Sequence, residues 1–343
     1  MIFKAVDLTK FFLAICIFLM HAGFYELIPG GALIKVLTAR LGVPYFFVAS
    51  GFFFGRAVYS GKLSPDSLRS LWDGYLRRLV QKLLVFEPAN IILESVFLLA
   101  LHDSFGRVVL KMARSIIFCP SGALWYIQAL IIAVLLLVPL MRKNKEYAAI
   151  PFALAGYFFL LICDRYYFLI EGTPFASVVR KIIYITGNMR NGFTVGLLFT
   201  LIGILMAKKD LPLGKGKIRW FILPGFITLI LEFFLLEGHV YIDEGGSYLA
   251  FIWLIPVLFA GTLALELPER FQSKPFRNMS TMIYLINCPI IRIVNIAELL
   301  IHGELYEDPS ARMWIFLLEA VLIGLAVAFI YRRKNSRIFP LFI

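Results

Sequence analysis

Three ionisable side chains on the first long apolar run are the residues best placed to do chemistry. The run reads Asp7-Leu-Thr-Lys10-Phe-Phe-Leu-Ala-Ile-Cys-Ile-Phe-Leu-Met-His21. Successive residues of a helix turn by about 100°, so Lys10 and His21, eleven positions apart, fall within about 20° of each other. Asp7 and Lys10 are three apart and also neighbours on the surface. Asp7, Lys10 and His21 therefore make one polar stripe on a greasy helix. In lipid such a stripe is costly, and it faces a bundle interior or a water-filled cavity. Histidine takes a proton near neutral pH, which suits general-base work on an alcohol. A cation one to three turns away suits an anionic cofactor or a developing negative charge. The plain alternative for His21 is a packing histidine bonded to a backbone carbonyl. Its place on the stripe favours the functional reading.

Other polar groups lie in apolar runs: Lys82, Glu87, Asn90 and Glu94, then Glu232, then Asn287, Arg292 and Asn295. Lys82 stands near the start of its run and either snorkels or acts. Glu87 precedes Pro88, which marks a kink. Glu87 and Glu94 are seven apart on one helix face. They either line a cavity or pair with Arg292 as a structural ion pair. Asn287, followed by Cys288 and Pro289, marks a second break, and broken helices tend to line cavities. Ser50-Gly51 reads as a small-residue site where backbones approach closely. His102, His239 and His302 fall in loops and read as solvated side chains. The four cysteines, Cys16, Cys119, Cys163 and Cys288, have no metal spacing, and no metal is expected. No serine elbow, phosphate loop, dinucleotide glycine cluster or zinc-protease helix is present.

These residues sit in a chain built for lipid. Of 343 residues, 60% are hydrophobic, 15% aromatic and only 16% charged. The mean hydropathy is +0.83. That composition excludes an ordinary soluble enzyme and predicts an all-α, polytopic membrane helix bundle. Ten apolar runs are long enough to cross a bilayer core of about 30 Å. They cover 8–28, 37–57, 79–101, 122–141, 147–164, 192–207, 218–237, 247–267, 280–301 and 311–331. The stretch from Phe105 to Phe118 has apolar residues at helical spacing between Arg107, Lys111 and Arg114, and predicts an interfacial amphipathic helix. The first run is too long for a signal peptide and is read as a retained span.

The net charge of +12 would suggest nucleic acid on a soluble protein. Here it follows membrane topology, and no nucleic-acid partner is expected. With the N-terminus inside, 21 of the 34 Lys and Arg fall in inside segments and 10 in outside ones. The alternation predicts ten spans with both termini cytoplasmic. It depends on the short run at 192–207, because a slip there inverts everything after it. No repeat or second domain is visible, so residues 1–343 are read as one integral membrane domain with the lipid bilayer as its surroundings.

Several stretches together are similar to one family, the acyltransferase-3 integral membrane acyltransferases, which include enzymes that O-acetylate bacterial surface polysaccharides. The family's first span carries Asp, then Arg, ten residues, and His, as in Asp7-Leu-Thr-Lys10 to His21. Its Pro-x-Phe-Phe-x-x-Ser-Gly-Phe resembles Pro44-Tyr-Phe-Phe-Val-Ala-Ser50-Gly51-Phe52. Its basic third span resembles Tyr75-Leu-Arg77-Arg78-Leu-Val-Gln-Lys82, and its Leu-Trp-Tyr resembles Leu124-Trp125-Tyr126. Arg190-Asn191-Gly192 is similar to a motif before the sixth span, and Ser280-Thr-Met-Ile-Tyr284-Leu-Ile-Asn287 to a late Ser…Tyr-Leu-Ile-His.

The resemblance implies about ten spans and transfer of an acyl group from cytoplasmic acyl-CoA, with acetyl-CoA as donor, to a hydroxyl on a carbohydrate or glycolipid. It implies a multi-pass protein of the inner or plasma membrane with no bound cofactor. His21 would be the catalytic base, Lys10 would stand where the family has its donor-contacting Arg, and Asp7, one turn from Lys10, is counted with them. Arg77, Arg78 and Lys82 would meet the phosphates of coenzyme A. Ser50, Trp125 and Arg190 would line the central cavity, with Asn191 of the same motif and Glu87, Asn287 and Arg292 of the embedded set as further lining candidates. Lys10 keeps the charge of the family's Arg and loses its bidentate fork. Asn287 replaces the late His, and an amide hydrogen-bonds but cannot shuttle a proton near pH 7. A second class of function fits the same embedded charges, a transporter or flippase for a small polar solute or lipid-linked sugar. The usual paired broken helices of transporters are not seen.

Overall fold

The computed structural model describes residues 3–209, 215–239, 246–336 and 339–342, with side chains absent from the description between 209 and 219. Lys209, Lys215, Lys217, Arg219, Arg337 and loop residues 240–245, all part of the charge alternation, lie outside the described side chains. The chain is all-helical, with 79% helix and no strand among the described residues. Twelve longer helices follow in order: α1 Lys4–His21, α2 Ala39–Tyr59, α3 Arg77–Ala100, α4 Phe105–Ile117, α5 Trp125–Arg142, α6 Ile150–Cys163, α7 Pro174–Thr186, α8 Leu197–Lys209, α9 Lys215–Leu235, α10 Phe251–Ala264, α11 Lys274–His302 and α12 Pro309–Arg332.

A helix occupies each of the ten apolar runs. Six stretches are long and apolar enough to cross a membrane: Gly31–Tyr59, Leu68–Ala100, Phe105–Arg142, Glu146–Cys163, Lys274–His302 and Pro309–Arg332. Three shorter apolar helices cover Gly192–Lys208, Trp220–Leu235 and Phe251–Ala264. Helix α1 has the 18 residues of Glu146–Cys163 but carries Lys4, Asp7 and Lys10, so apolarity alone does not mark it. These helices and the chain's composition make it a multi-pass membrane protein.

Two differences from the sequence reading have local causes. The run at 8–28 is not one helix. Helix α1 stops at His21 because Gly23 and Gly30 take left-handed conformations at φ 73° and 68°, which glycine adopts without a Cβ penalty. A short turn at Phe24–Leu27 and a short helix at Gly31–Leu37 follow. The loop at 165–191 also carries a helix of its own, α7. Thr173 caps it by accepting from Ala176 N, and Pro174 fills the first helical position, where its missing N–H costs nothing. The amphipathic helix expected after Phe105 is α4, capped by Ser104. It exposes Phe105, Val109, Met112 and Ile116 in one stripe and buries Val108 and Ser115.

The chain divides into two compact units. The first comprises Met1–Val6, Arg40–Val80 and Tyr126–Phe271. Its tightest contact is between α2 and α8. A Cβ on Gly51 would stand 2.1 Å from Thr200 O, and one on Gly203 2.1 Å from Val48 O. A Cβ on Gly55, one turn beyond Gly51, would stand 3.1 Å from Ile204 Cα and from Ala207 Cβ. The small-residue packing expected at Ser50-Gly51 is therefore present, as a backbone-to-backbone crossing that only glycine permits.

The same unit contains two wide, π-type turns. At Trp72–Leu76 the N–H of Arg77 reaches back five residues to Trp72 O. At Gly192–Gly196 the N–H of Gly196 reaches Asn191 O at 3.1 Å. The second turn is wedged between neighbours. A Cβ on Gly192 would lie 2.5 Å from Ile132 Cβ, and one on Gly156 of α6 2.5 Å from Phe193 O.

The second unit comprises Asp7–Ala39, Gln81–Trp125 and Gln272–Ile343. Helices α11 and α12 pack together within it. The chain after His21 folds back on α1. Cys16, Tyr25 and Ala39 form a buried cluster, with Leu19, Met20, Phe24 and Ile28 against it. Tyr25 and Thr38 hydroxyls bond at 2.8 Å, and Lys35 pairs with Glu26 at 2.7 Å. Phe316 of α12 stacks near Phe18 at 5.9 Å and Phe24 at 4.9 Å between ring centres.

The α2–α8 crossing gives a direct test. Replacing Gly203 with Val forces the crossing open, and overpacking of this kind costs typically about 1–3 kcal/mol. Gly324→Val is the control, because a Cβ there meets nothing within 4 Å. The melting temperature in detergent should fall for Gly203→Val and stay within a degree or two for Gly324→Val.

Candidate functional site

The polar stripe of α1 lies in the second unit from Asp7 onward. Asp7 is 5% exposed, and its Oδ2 accepts a hydrogen bond from Ser273 Oγ at 2.7 Å. Ser273 is itself buried at the start of α11. One turn along α1, Lys10 lies in the fields of the Asp7 carboxylate and the Arg277 guanidinium. The next position, Phe11, meets Phe276 edge-on with ring centres 5.3 Å apart. Asp7 with Ser273 and Phe11 with Phe276 advance together along both chains. Helices α1 and α11 thus start at the same end and run side by side there.

His21 is the last residue of α1 and is exposed. It stands about 16 Å from Lys10 along the axis, at 1.5 Å per residue. The fold-back at Phe24–Leu37 leaves His21 at the end of α1, at the mouth of the chain reversal. The helix's C-terminal dipole favours a positive charge there.

The kinked middle of α3 and the break in α11 resolve the alternatives left by spacing. Glu94 pairs with Arg292 at 2.7 Å, and the same guanidinium covers the Phe97 ring at 3.9 Å. This is the structural ion pair. Glu87 takes a different partner: its Oε1 accepts from Ser121 N at 2.8 Å, while its buried Oε2 has no hydrogen bond. Ser121 and Ser115 hydroxyls bond at 2.8 Å, tying the end of α4 to this point. Asn287 is fully buried, and its Nδ2 donates to Ile283 O at 2.8 Å and Tyr284 O at 3.0 Å. Cys288 Sγ donates to Asn287 Oδ1 at 3.0 Å. The amide is thus turned onto its own helix just before Pro289, with both donors and the acceptor in use. Tyr284 hydroxyl donates to Ala123 O, and a Cβ on Gly122 would lie 2.9 Å from Cys288 Cβ. Trp125, two residues beyond Ala123, is half-buried. Lys82 also belongs to this unit.

Ser50, Arg77, Arg78, Arg190 and Asn191 belong to the first unit. Ser50 Oγ bonds Tyr126 OH at 2.8 Å, and that hydroxyl donates to Phe46 O at 3.1 Å. Arg77 and Arg78 are exposed directly after the wide turn at Trp72–Leu76, and Arg78 donates to Gly74 O at 2.9 Å. Asn191 caps the second wide turn: its Oδ1 accepts from Phe193 N at 2.9 Å and Thr194 N at 3.2 Å, and Thr194 Oγ1 answers its own N–H at 3.1 Å. Arg190 N donates to Asn188 Oδ1.

Sequence reasoning passed over three groups of the second unit. Glu298 and Glu319 are buried at 5% and 2% exposure. Glu298 accepts from Tyr306 N and faces Arg312 at 3.5 Å. The signal for both was an acid inside an apolar run. Arg277 was legible only as a loop cation, and its place beside Lys10 needs the helix pairing.

Comparison with known proteins bears on this arrangement. A family model described as an acyltransferase domain matches residues 3–333. A serine/alanine racemase of Enterococcus gallinarum is 25% identical over 289 residues, covering 83% of this chain. The chain spans 40% of that relative's length. No solved structure matches.

The Glu94–Arg292 pair is testable by a double-mutant cycle. Glu94→Gln and Arg292→Gln should each lower the melting temperature, because each leaves an embedded charge without its partner. The double variant should recover part of the loss. Strict additivity of the two single effects would mean that the pair contributes no coupling.

Proposed function

Because the chain belongs to the acyltransferase-3 family of membrane acyltransferases, we propose that it moves an acetyl group from acetyl-CoA to a hydroxyl of a cell-envelope carbohydrate or lipid-linked glycan. The observation that carries the reading is the stripe on α1, with a buried Asp7, Lys10 one turn on, and an exposed His21 at the far end. It combines an anion-binding cation and a proton acceptor on one helix in a protein of that family.

In this reading the acceptor hydroxyl gives its proton to the His21 imidazole as its oxygen attacks the thioester carbonyl. The C–S bond then breaks, the new C–O ester bond remains, and the thiolate of coenzyme A recovers the proton. Lys10 holds the donor's negative charge, with Asp7 offsetting the cost of placing a cation there. Exclusion of water by the surrounding helices protects the thioester from hydrolysis. By family resemblance, Arg77 and Arg78 of the first unit and Lys82 of the second are candidate contacts for the donor's phosphates, and Ser50, Arg190 and Asn191 of the first unit and Glu87, Trp125, Asn287 and Arg292 of the second are candidate lining residues. Asn287 and Arg292 enter as supports, since each is spent on structural partners.

The charge alternation supports ten spans in an inner or plasma membrane with both termini cytoplasmic. Lys10 would then stand near the cytoplasmic face, where acetyl-CoA is, and His21 toward the opposite face, where the acceptor approaches. The transport reading drew on embedded charges at Glu87, Glu94 and Arg292; the last two pair with each other, while Glu87 accepts from Ser121 N.

Purified protein supplied with acetyl-CoA and isolated envelope glycan should transfer one acetyl mass, read by mass spectrometry. His21→Ala should lower the rate by about a hundredfold or more, the scale of a lost general base. Transfer unchanged by that substitution would remove His21 from the chemistry. Solute uptake into proteoliposomes without any acyl donor would favour the transporter instead.

A further inference from the structure

The Asp7–Ser273 bond and the Phe11–Phe276 contact bring the starts of α1 and α11 together, which puts Lys10 and Arg277 within each other's field. Lys10 feels both Asp7 and Arg277. Asp7 is engaged by Ser273 Oγ at 2.7 Å. The Arg277 side chain makes no hydrogen bond or ion pair among the described residues, although its backbone carbonyl accepts from Ser280 Oγ at 2.8 Å. It is exposed, so a ligand from solution reaches it. Lys274, at the first turn of α11, and the start of that helix add further positive potential.

Like charges placed together repel, and the repulsion grows as water is excluded. Asp7 offsets one of the two. The second has no ion-pair partner among the described residues, in a position fixed by the Asp7–Ser273 bond and the Phe11–Phe276 contact. Such an arrangement is stable when an anion completes it. A guanidinium binds phosphate with two parallel N–H groups, whereas an ammonium acts as a point charge. Lys10 alone therefore lacks the geometry for a fork, and Arg277 has it.

Resting on the acyl-CoA reading above, we propose that Lys10 and Arg277 together clamp a phosphate group of the coenzyme A donor, Arg277 supplying the bidentate fork and Lys10 the second charge. Arg277 is then a donor-binding residue contributed by α11, and the lysine at position 10 works because its neighbour across the helix pair is an arginine. Asp7 and Ser273 are positioning residues: they hold the two helix starts in register and keep the cations from being driven apart.

The test uses the full chain in detergent and the dissociation constant of coenzyme A, which needs no acyl transfer. Arg277→Gln should raise that constant about tenfold or more, the scale of a lost charge-assisted hydrogen bond. Arg277→Lys should recover part of the affinity. Pantetheine, which lacks the nucleotide and its phosphates, should bind the Gln variant and the parent alike. Equal coenzyme A binding by Arg277→Gln and the parent would overturn the clamp and leave the transferase reading intact. Loss of pantetheine binding to the same extent would mark a packing defect and would also overturn it. A difference seen only when phosphatidylglycerol is added would assign the pair to a lipid headgroup and overturn it too. A parent that binds no coenzyme A at all, yet transfers nothing, would end both readings together.

Discussion

A carboxylate on a helix surrounded by lipid and protein has no water to turn to, so burial favours a donor within the fold. This constraint recurs through the chain. Asp7 is met by Ser273, Glu87 by Ser121 N and Glu94 by Arg292. Glu146, wholly buried, takes Lys208 at 2.7 Å and Tyr59 at 2.9 Å. Glu232 caps the start of α10 by accepting from Leu249 N and Ala250 N. Each acid therefore joins segments that are distant in sequence. Asp7 matters most, because its bond to Ser273 sets the register of α1 against α11 and so decides what stands beside Lys10.

The same constraint sorts the candidate residues by what remains available. Arg292 is spent on Glu94 and Phe97, and Asn287 on the carbonyls of its own helix. Both hold α11 in shape around Pro289, where the missing N–H would otherwise weaken the helix. His21, Arg77, Arg78 and Arg277 are exposed instead. Buried partners build the scaffold, and the exposed groups stand at helix ends. The replacement of a proton-shuttling histidine by Asn287 is consistent with this division, since an amide serves as a helix support and not as a base.

Backbone proximity shapes the first unit in a comparable way. Gly51, Gly55 and Gly203 let α2 and α8 touch main chain to main chain. Gly192 and Gly156 do the same around the wide turn at Gly192–Gly196. Wide turns of this kind are rare and occur often at functional sites. Here each adjoins a basic motif, Arg77-Arg78 after one and Arg190-Asn191 before the other. The extra residue in the turn at Trp72–Leu76 shifts the facing of the helix beyond it, which re-aims Arg77 and Arg78 without breaking the chain.

Much was legible in the residues alone. Apolar run length is enough to locate helices in lipid, because a segment that cannot pay for bare backbone groups must satisfy them internally. All ten runs carry helices, and the 105–118 stripe carries its amphipathic one, since period and capping are local properties. The polar stripe of α1 was likewise visible, because a fixed 100° step relates Asp7, Lys10 and His21 within one element. The stop of α1 at His21 was less so, as the left-handed glycines at 23 and 30 lie inside an otherwise apolar run. What the sequence could not decide is which embedded charge meets which. Glu94 rather than Glu87 pairs with Arg292, and Arg277, some 267 residues beyond Lys10, comes to stand beside it. Such pairings depend on how helices lie against one another, and helix packing is set by side-chain fit between elements, not by the spacing within any one of them.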